Sequence, residues 1–402
     1  MLYFAYQTQS DMMARVRAWA SMALAAGAQP LLGDDVHRNL SAAYELISRA
    51  GLTHTRPPFG ISHVNVGNRE VEVREEPAAR TPFGTLLHFK KDVAVAQPRV
   101  LVVAPLSGHF ATLLRATVRT LLPEHDVFIT DWHNARDVPI TAGRFGVDEY
   151  VEHLIKYLEV MGPGSHVLAV CQPCVAVLCA VALMAQAANP AQPRSMTLMA
   201  GPIDCRVNPT KVNELANKRD IAWFERMLTA TVPMRYPGAF RHVYPGFVQL
   251  AAFMTMNIDR HVKAHKELYD NLANGELEKA ATTKAFYDEY FAVLDLTAEF
   301  YLETVRHIFQ EYALPLGRLK WRGETIDPSA IRRTMLLTVE GERDDICAVG
   351  QTVAAHDLCR KLRPYLTRHH MQAGVGHYGV FSGKRWENQV YPIVKNVILS
   401  CD

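Results

Sequence analysis

A cysteine lies between two apolar segments, at a point where a catalytic nucleophile would be well placed. Residues 166–170 (HVLAV) are typical of a buried strand, Cys171 follows directly, and an apolar stretch typical of a helix runs from Pro173 to about Ala188. This order is that of a nucleophile elbow, in which the helix N-terminus stabilises negative charge on the nucleophile. The usual flanking glycines are replaced by Ala169 and Pro173, so a buried structural cysteine at a strand end is the alternative.

A thiol nucleophile needs a base within hydrogen-bond reach and a third group that orients the base. In folds with a nucleophile elbow, the chain order is nucleophile, acid, histidine. Asp344 and Asp345 follow a strand-like segment, and His377 lies near the C-terminus between glycines, so both partners occur in that order. Local chemistry does not separate Asp344 from Asp345. His369 and His370, on the preceding predicted strand, are the nearest competing histidines.

An oxyanion hole would need two backbone donors near the nucleophile. One is expected from the residue after the nucleophile, Gln172, and the other from the loop that follows residues 100–104. In that loop Leu106, Ser107 or Gly108 could present the second N–H group. An ordinary strand-to-helix loop, in which a glycine eases the turn, is the alternative interpretation.

Aromatic and imidazole side chains near these segments are candidates for a substrate pocket. We expect His109, Trp132 and Tyr378 to line it, because they follow strand ends or adjoin the predicted histidine. Eight further aromatic residues have largely helical spacing: Phe286, Tyr287, Tyr290, Phe291, Phe300, Tyr301, Phe309 and Tyr312. They indicate either core packing of long helices or an apolar lid over a hydrophobic substrate.

The hydrophobic pattern predicts the elements that position these residues. Residues 1–60 are predicted to be an N-terminal helical segment. Residues 61–205 and 325–402 show short apolar strands alternating with helices, after an initial antiparallel pair or meander. This pattern indicates an α/β core with a mostly parallel sheet flanked by helices. Residues 206–324 are predicted to be a helical lid or cap inserted between two strands.

Composition excludes several classes of protein. The 402 residues are 49% apolar and 21% charged, which is ordinary for a globular protein. With 43 basic and 41 acidic residues, the chain gives no electrostatic reason to expect a nucleic-acid partner. Seven scattered cysteines show no metal-binding spacing and suit a reducing compartment. We see neither an export signal nor a membrane span, so a cytoplasmic protein is expected.

Taken together, the motifs resemble those of the intracellular polyhydroxyalkanoate (polyhydroxybutyrate) depolymerases, which are cysteine-dependent α/β-hydrolases. The resemblance runs nearly from end to end. It rests on APLSGH at 104–109, TDW at 130–132, VCQP at 170–173, GPID at 201–204, VYPGF at 243–247, FYDEY at 286–290, VEGE at 339–342, DDI at 344–346 and GHYG at 376–379.

The resemblance implies that the family's catalytic triad falls on Cys171, Asp344 and His377, and it favours Asp344 over Asp345. Cys174 departs from the family pattern, and a disulfide with Cys171 would make the enzyme sensitive to oxidation. The implied reaction is hydrolysis of poly(3-hydroxybutyrate) in intracellular amorphous granules through a thioester intermediate. No metal or redox cofactor is expected, although coenzyme A could replace water as the acyl acceptor.

Two other functions are compatible with these residues. A polyester synthase uses the same three residue types on the same fold, but its elbow usually carries a glycine on each side of the cysteine. A catalytically silent granule-coat protein could also keep a hydrolase-like core. The sequence predicts no oligomeric state.

Overall fold

A nine-stranded sheet forms the centre of the protein, and several short strands lie outside it. The computed structural model describes residues 2–26, 33–93, 95–256 and 258–402. The strands are, in chain order, β1 (His63–Val66), β2 (Arg69–Arg80), β3 (Gly84–Lys91), β4 (Arg99–Val103), β5 (Asp126–Trp132), β6 (His166–Val170), β7 (Ser195–Met199), β8 (Ala230–Thr231), β9 (His242–Tyr244), β10 (Leu296–Thr297), β11 (Lys320–Trp321), β12 (Glu324–Thr325), β13 (Met335–Gly341) and β14 (Thr367–Gln372).

The strand order identifies the fold. The central sheet has the order β1-β2-β3-β5-β4-β6-β7-β13-β14. Strands β5, β4, β6, β7, β13 and β14 are parallel neighbours, whereas β1, β2 and β3 pair antiparallel with one another and β3 pairs antiparallel with β5. Counted from β2, this is the 1-2-4-3-5-6-7-8 order of the α/β-hydrolase fold, as predicted. The initial antiparallel meander is also as predicted.

Fourteen α-helical segments occur in the described residues. They are α1 (Leu2–Ala25), α2 (Asp34–Arg49), α3 (Arg115–Leu121), α4 (Val147–Met161), α5 (Pro173–Gln186), α6 (Lys211–Asn217), α7 (Ile221–Leu228), α8 (Gly246–Met256), α9 (Ile258–Ala273), α10 (Leu277–Tyr290), α11 (Ala298–Thr304), α12 (Ala355–Leu358), α13 (Gly383–Arg385) and α14 (Tyr391–Cys401).

The inner strands are buried on both faces, which explains their continuous apolar sequences. Along β4, Leu101 and Val103 pack into one cluster with α4 and α5, while Val100 and Val102 pack into the other with α3 and α14. This alternation follows from the two-residue period of a strand. The sheet is therefore fixed between two helical layers, so the loops at its carboxyl edge start from rigid positions.

The N-terminal segment is less helical than predicted. Helices α1 and α2 lie within residues 1–60, but α2 ends at Arg49 and an irregular stretch follows. Pro57 and Pro58 lack the N–H groups that a helix would need there. Instead, the Thr53 N–H donates a hydrogen bond to the Phe291 carbonyl at 2.9 Å, and the Thr53 carbonyl accepts one from the Val293 N–H at 2.8 Å. Residues 1 and 27–32 of the predicted segment lie outside the described residues.

Residues 206–324, which we call the cap, are mainly helical but contain strands that were not predicted. Helices α6 to α11 alternate with a three-stranded sheet of order β10-β9-β8 and with the β11–β12 hairpin. These strands are only two or three residues long, which is too short for a hydrophobic period to reveal.

Candidate active site

The turn after β6 has the geometry of a nucleophile elbow. Cys171 follows β6 directly and has a φ angle of +67°, and α5 begins two residues later at Pro173. Residues other than glycine rarely adopt positive φ, and such strain concentrates at functional sites. The Cys171 N–H donates to the Met199 carbonyl of β7 at 2.8 Å, which helps to hold the strained turn. The side chain is partly exposed at the carboxyl edge of the sheet.

Gly201 has no side chain, and this leaves space for Cys171 and Cys174 of the elbow. The local sequence does not indicate this role. A Cβ atom at Gly201 would overlap the Cβ and Sγ atoms of Cys174 and would lie 3.0 Å from the Cys171 carbonyl oxygen. A larger residue would therefore push on the turn that carries the candidate nucleophile. Small residues are needed around an elbow, and here one of them comes from the end of the next strand.

Cys174 lies below the elbow. Its Sγ atom is within 3.5 Å of the Ala169 carbonyl oxygen and 3.6 Å of that of Met199, and burial holds the thiol pKa well above its usual range. Cys171 and Cys174 are both free thiols in this structure, so the disulfide implied as an oxidised form is not formed.

Among the described residues, no group of three or more His, Cys, Asp or Glu side chains could hold a metal ion.

Asp344 and His377 form a buried pair beside the elbow. The Asp344 Oδ2 atom is 2.7 Å from His377 Nδ1, and the other carboxylate oxygen accepts the N–H groups of Ile346 and Cys347, each at 2.9 Å. These contacts fix the carboxylate, which in turn orients the imidazole. Asp345 is exposed, so the geometry favours Asp344 as the acid.

Adjacent strands explain why these two side chains meet. Strands β13 and β14 pair in parallel, and their carboxyl ends lead into the Asp344 and His377 loops. The loops are joined by backbone hydrogen bonds from Glu342 N to Gln372 O at 3.0 Å and from Arg343 N to Val375 O at 2.9 Å. The acid and the histidine are therefore held on one rigid support.

The charges around His377 favour its protonated form. Burial by itself would lower the pKa of the imidazole, but a Cys171 thiolate and the Asp344 carboxylate, through charge and hydrogen bonding, hold it well above the usual range. The three side chains are thus close enough to act on one another electrostatically. The arrangement can therefore stabilise a positive charge on the His377 imidazole beside Cys171.

Backbone donors are available next to the elbow. Among the described residues, no group accepts a hydrogen bond from the backbone N–H of Leu106, Ser107 or Gln172. The loop 104–109 follows β4, and β4 lies next to β6 in the sheet, so the loop and the elbow share one edge. Unpaired backbone donors are costly unless water or a ligand uses them. These N–H groups are therefore available as donors, and the oxyanion hole itself stays a prediction.

The three predicted pocket residues differ in position. Tyr378 is partly exposed and is close enough to Tyr290 and Cys171 for their charges to raise its pKa, although burial is the larger cause. Trp132 is instead in the core, 1% exposed, with its N–H donating to the Ala104 carbonyl at 3.0 Å. Its large apolar ring packs among α4 aromatic side chains, because α4 crosses this face of the sheet.

His109 is also buried, and it connects the loop to the cap. Its Nε2 atom lies 3.1 Å from the Tyr290 carbonyl oxygen, and burial lowers the pKa of the imidazole to about 4. The neutral ring packs against Tyr290 and Phe253. These contacts give His109 a packing role that differs from the pocket position predicted for it.

Three of the eight side chains in the predicted aromatic stripe are buried, and four more are half-buried against the core. Tyr287 and Tyr290 form a small cluster with Leu250 and Val293, while Phe300 joins the main core. Phe286 remains 42% exposed. The core-packing interpretation therefore describes most of the stripe, and only its outer edge faces solvent.

Glu340 is a buried side chain that the sequence did not single out. At 1% exposure, its carboxylate accepts the N–H groups of Gly350, Thr352 and Val353 at 2.7 to 3.0 Å. The Thr352 hydroxyl in turn contacts the Gly201 N–H and carbonyl at 2.9 and 3.0 Å. This network connects the strand before Asp344 with the glycine beside the elbow. Because its members are far apart in the chain, no local pattern could reveal it.

Comparison with known proteins now identifies the family. The family model described as PHB de-polymerase C-terminus matches residues 200–402, just over half of the chain, including Asp344 and His377. The chain belongs to the PHB depolymerase family. Cys171 lies outside the matched region. Membership in the PHB depolymerase family, on an α/β-hydrolase fold, supports ester hydrolysis as the general activity.

Two solved structures show a distant likeness to this member of the PHB depolymerase family. A lipase from Acinetobacter baumannii AYE is 14% identical with a TM-score of 0.43, and the match covers 82% of this chain and 93% of that one. An esterase from Thermogutta terrifontis is 13% identical with a TM-score of 0.41, over 83% and 98% of the two chains. A search of curated proteins finds no match. Within the described residues, no helix is long and apolar enough to span a bilayer.

Proposed function

We propose that the protein hydrolyses the ester bonds of poly(3-hydroxybutyrate) with Cys171 as nucleophile, His377 as general acid and base, and Asp344 as the group that orients His377. The observation that carries this proposal is the meeting of a strained, partly exposed cysteine with a buried Asp–His pair at one edge of the sheet. The alternative of a purely structural cysteine does not account for the strain or for the charged neighbours.

The first half of the reaction would form a thioester. The Cys171 thiolate attacks the ester carbonyl carbon, and the oxyanion that develops is held by backbone N–H groups of Gln172 and of Leu106, Ser107 or Gly108. When the tetrahedral intermediate collapses, the C–O bond to the leaving chain breaks. The His377 imidazolium donates its proton to the departing alkoxide, which leaves as a free hydroxyl group.

The second half would release the acyl group. His377, now neutral, takes a proton from water, and the resulting hydroxide attacks the thioester carbonyl. Collapse of this intermediate expels the Cys171 thiolate and yields the 3-hydroxybutyrate carboxylic acid, which ionises. Asp344 stays ionised throughout and stabilises the imidazolium each time that it forms.

We propose poly(3-hydroxybutyrate) as the substrate because the chain belongs to the PHB depolymerase family. The family takes its name from PHB depolymerisation, and ester hydrolysis is the activity that the fold and site support. We propose that the protein acts in the cytoplasm on amorphous polymer granules and releases 3-hydroxybutyrate as monomer or oligomers. The seven free thiols suit a reducing compartment.

The direct test compares Cys171→Ala with Cys401→Ala, a matched cysteine change at a partly exposed site on α14. Purified protein is mixed with amorphous polymer granules, and released 3-hydroxybutyrate and granule-bound protein are both measured. Loss of the nucleophile should reduce release by at least about 10³-fold while granule binding persists. Cys401→Ala should behave as the unmodified protein. Full activity of Cys171→Ala would overturn the mechanism.

The same assay separates the alternatives. A granule-coat protein would bind granules but release nothing, even with Cys171 present. A synthase would make polymer from 3-hydroxybutyryl-coenzyme A. If free coenzyme A accelerates acyl release and the product is a coenzyme A thioester, thiolysis replaces hydrolysis as the second half-reaction.

A further inference from the structure

A glutamine of the cap reaches into the loop that carries the candidate oxyanion donors. Gln249 lies on α8, and its Nε2 atom donates a hydrogen bond to the Ser107 carbonyl oxygen. The side chain is 8% exposed, so this contact is shielded from solvent. Ser107 and Gln249 are far apart in the chain, and the bond joins the core of the fold to its cap.

The absence of a side chain at Gly108 leaves room for the Gln249 side chain. Its φ angle is +91°, a conformation that favours glycine. A Cβ atom there would lie 2.7 Å from both Cδ and Oε1 of Gln249. The loop therefore uses a glycine both for its backbone conformation and for close approach of the cap side chain. Two independent features thus converge on the same contact.

In this loop, two backbone carbonyl groups are hydrogen-bonded to the cap, whereas three backbone N–H groups have no acceptor in the described part of the chain. Two of its carbonyls accept hydrogen bonds from the cap: that of Ser107 from Gln249, and that of Gly108 from the Leu294 N–H at 2.9 Å. In contrast, the N–H groups of Leu106, Ser107 and Gly108 have no acceptor among the described residues. The Gln249 Oε1 atom is buried, and within the described part of the chain it has no partner either. The side chain thus leaves one buried polar atom unsatisfied while it holds Ser107.

We propose that Gln249 is a positioning residue that sets the orientation of the oxyanion donors, an inference that rests on the function proposed above. In a trans peptide, the carbonyl and the following N–H point in opposite directions. A hydrogen bond that holds the Ser107 carbonyl therefore also fixes the direction of the Gly108 N–H, one of the three candidate donors of this loop. The position of the cap and stabilisation of the oxyanion are coupled through this one side chain.

The test replaces the hydrogen-bond donor but keeps the space that it fills. Gln249→Met and Gln249→Leu both remove the donor and replace the side chain with an apolar one of similar length or volume. Gln310→Met is the matched control, because Gln310 is another cap glutamine that bonds backbone carbonyls, those of Ala216 and Arg219 at 2.8 and 2.9 Å. For each variant, kcat and KM are measured on a soluble 3-hydroxybutyrate ester.

A second readout separates positioning from damage to the site. Alkylation of Cys171 by iodoacetamide uses the thiolate but develops no oxyanion, so it does not depend on the oxyanion donors. Removing an oxyanion donor outright costs about 10²–10³ in kcat, so misplacing donors that remain should cost about 10-fold. We expect both Gln249 variants to lose about 10-fold in kcat, with KM and the alkylation rate unchanged within about 2-fold, and Gln310→Met to be unaffected.

Three results would overturn the inference. An unchanged kcat in both Gln249 variants would show that the contact does not position the donors. A parallel fall in kcat and in the alkylation rate would show that the side chain supports the whole site. A fall of the same size in Gln310→Met would show that any lost cap contact has this effect. Failure of the unmodified protein to hydrolyse any 3-hydroxybutyrate ester would instead overturn the proposed function, and this inference with it.

Discussion

Replacing Asp344 by Asn tests the electrostatic basis of the site. The change keeps the shape of the side chain but removes the charge that lies 2.7 Å from His377 Nδ1. Because that charge is one of the causes that hold the His377 pKa well above its usual range, its loss should lower the pKa. An imidazolium that donates a proton to the leaving alkoxide would then survive only at lower pH.

The size of the shift follows from the geometry. Two unit charges with centres about 4 Å apart interact by about 4 kcal/mol at an effective dielectric constant of about 20. Since one pKa unit corresponds to about 1.36 kcal/mol, the upper bound is about 3 units. We expect the alkaline limb of the pH profile to move to lower pH by about 2 to 3 units. Because the amide in Asp344→Asn could also stabilise the wrong tautomer of His377, kcat should fall on the order of 10²- to 10⁴-fold.

The assay is the pH dependence of kcat/KM on a soluble 3-hydroxybutyrate ester, which reports the ionisation of the free enzyme. In the unmodified protein, His377 has a raised pKa, so activity that needs the imidazolium persists above pH 6.5 and is lost as the pH rises through that pKa. Asp345→Asn is the matched control, since Asp345 is the exposed neighbour and its profile should be unchanged. An alkaline limb that stays in place in Asp344→Asn would refute the reasoning, as would a shift of equal size in Asp345→Asn.

Two further predictions concern the support of the site. Gly201→Ala places a methyl group against Cys174 and should destabilise the fold by about 1–3 kcal/mol in urea unfolding. Gly33→Ala, where a Cβ atom would meet no atom of the described residues within 4 Å, should change stability by less than about 1 kcal/mol. Equal effects would contradict the crowding argument. Glu340→Gln weakens a buried carboxylate that accepts three N–H groups and should cost at least about 2 kcal/mol of unfolding free energy; a change below about 0.5 kcal/mol would contradict that network's role.

The sequence was informative where function depends on local order along the chain. Short apolar strands, alternating with helices, were enough to predict a mostly parallel sheet, and Cys171 stood out because it follows one of those strands directly. Once the strands are parallel, their carboxyl ends must share an edge. The order nucleophile, acid, histidine along the chain then pointed to Asp344 and His377.

Patterns along the sequence did not predict contacts between residues that are far apart in the chain. Gln249 and Gly201 gain their roles only from neighbours distant in the chain, and neither has a local signature. Trp132 was misjudged for the related reason that an aromatic residue after a strand can face either the cleft or a crossing helix. The short strands of the cap were missed because two or three residues carry too little periodicity.

The central claim, that Cys171 forms a covalent bond to the substrate, can be tested by mass spectrometry of protein quenched with acid during turnover of a 3-hydroxybutyrate oligomer. We expect a mass gain of one or more hydroxybutyryl units on the peptide that contains Cys171, and no such gain in Cys171→Ala. Because that peptide also contains the buried Cys174, fragmentation must assign the acyl group to the first of the two sulfurs. An acyl group on any other residue, or turnover by Cys171→Ala at the unmodified rate, would contradict the account.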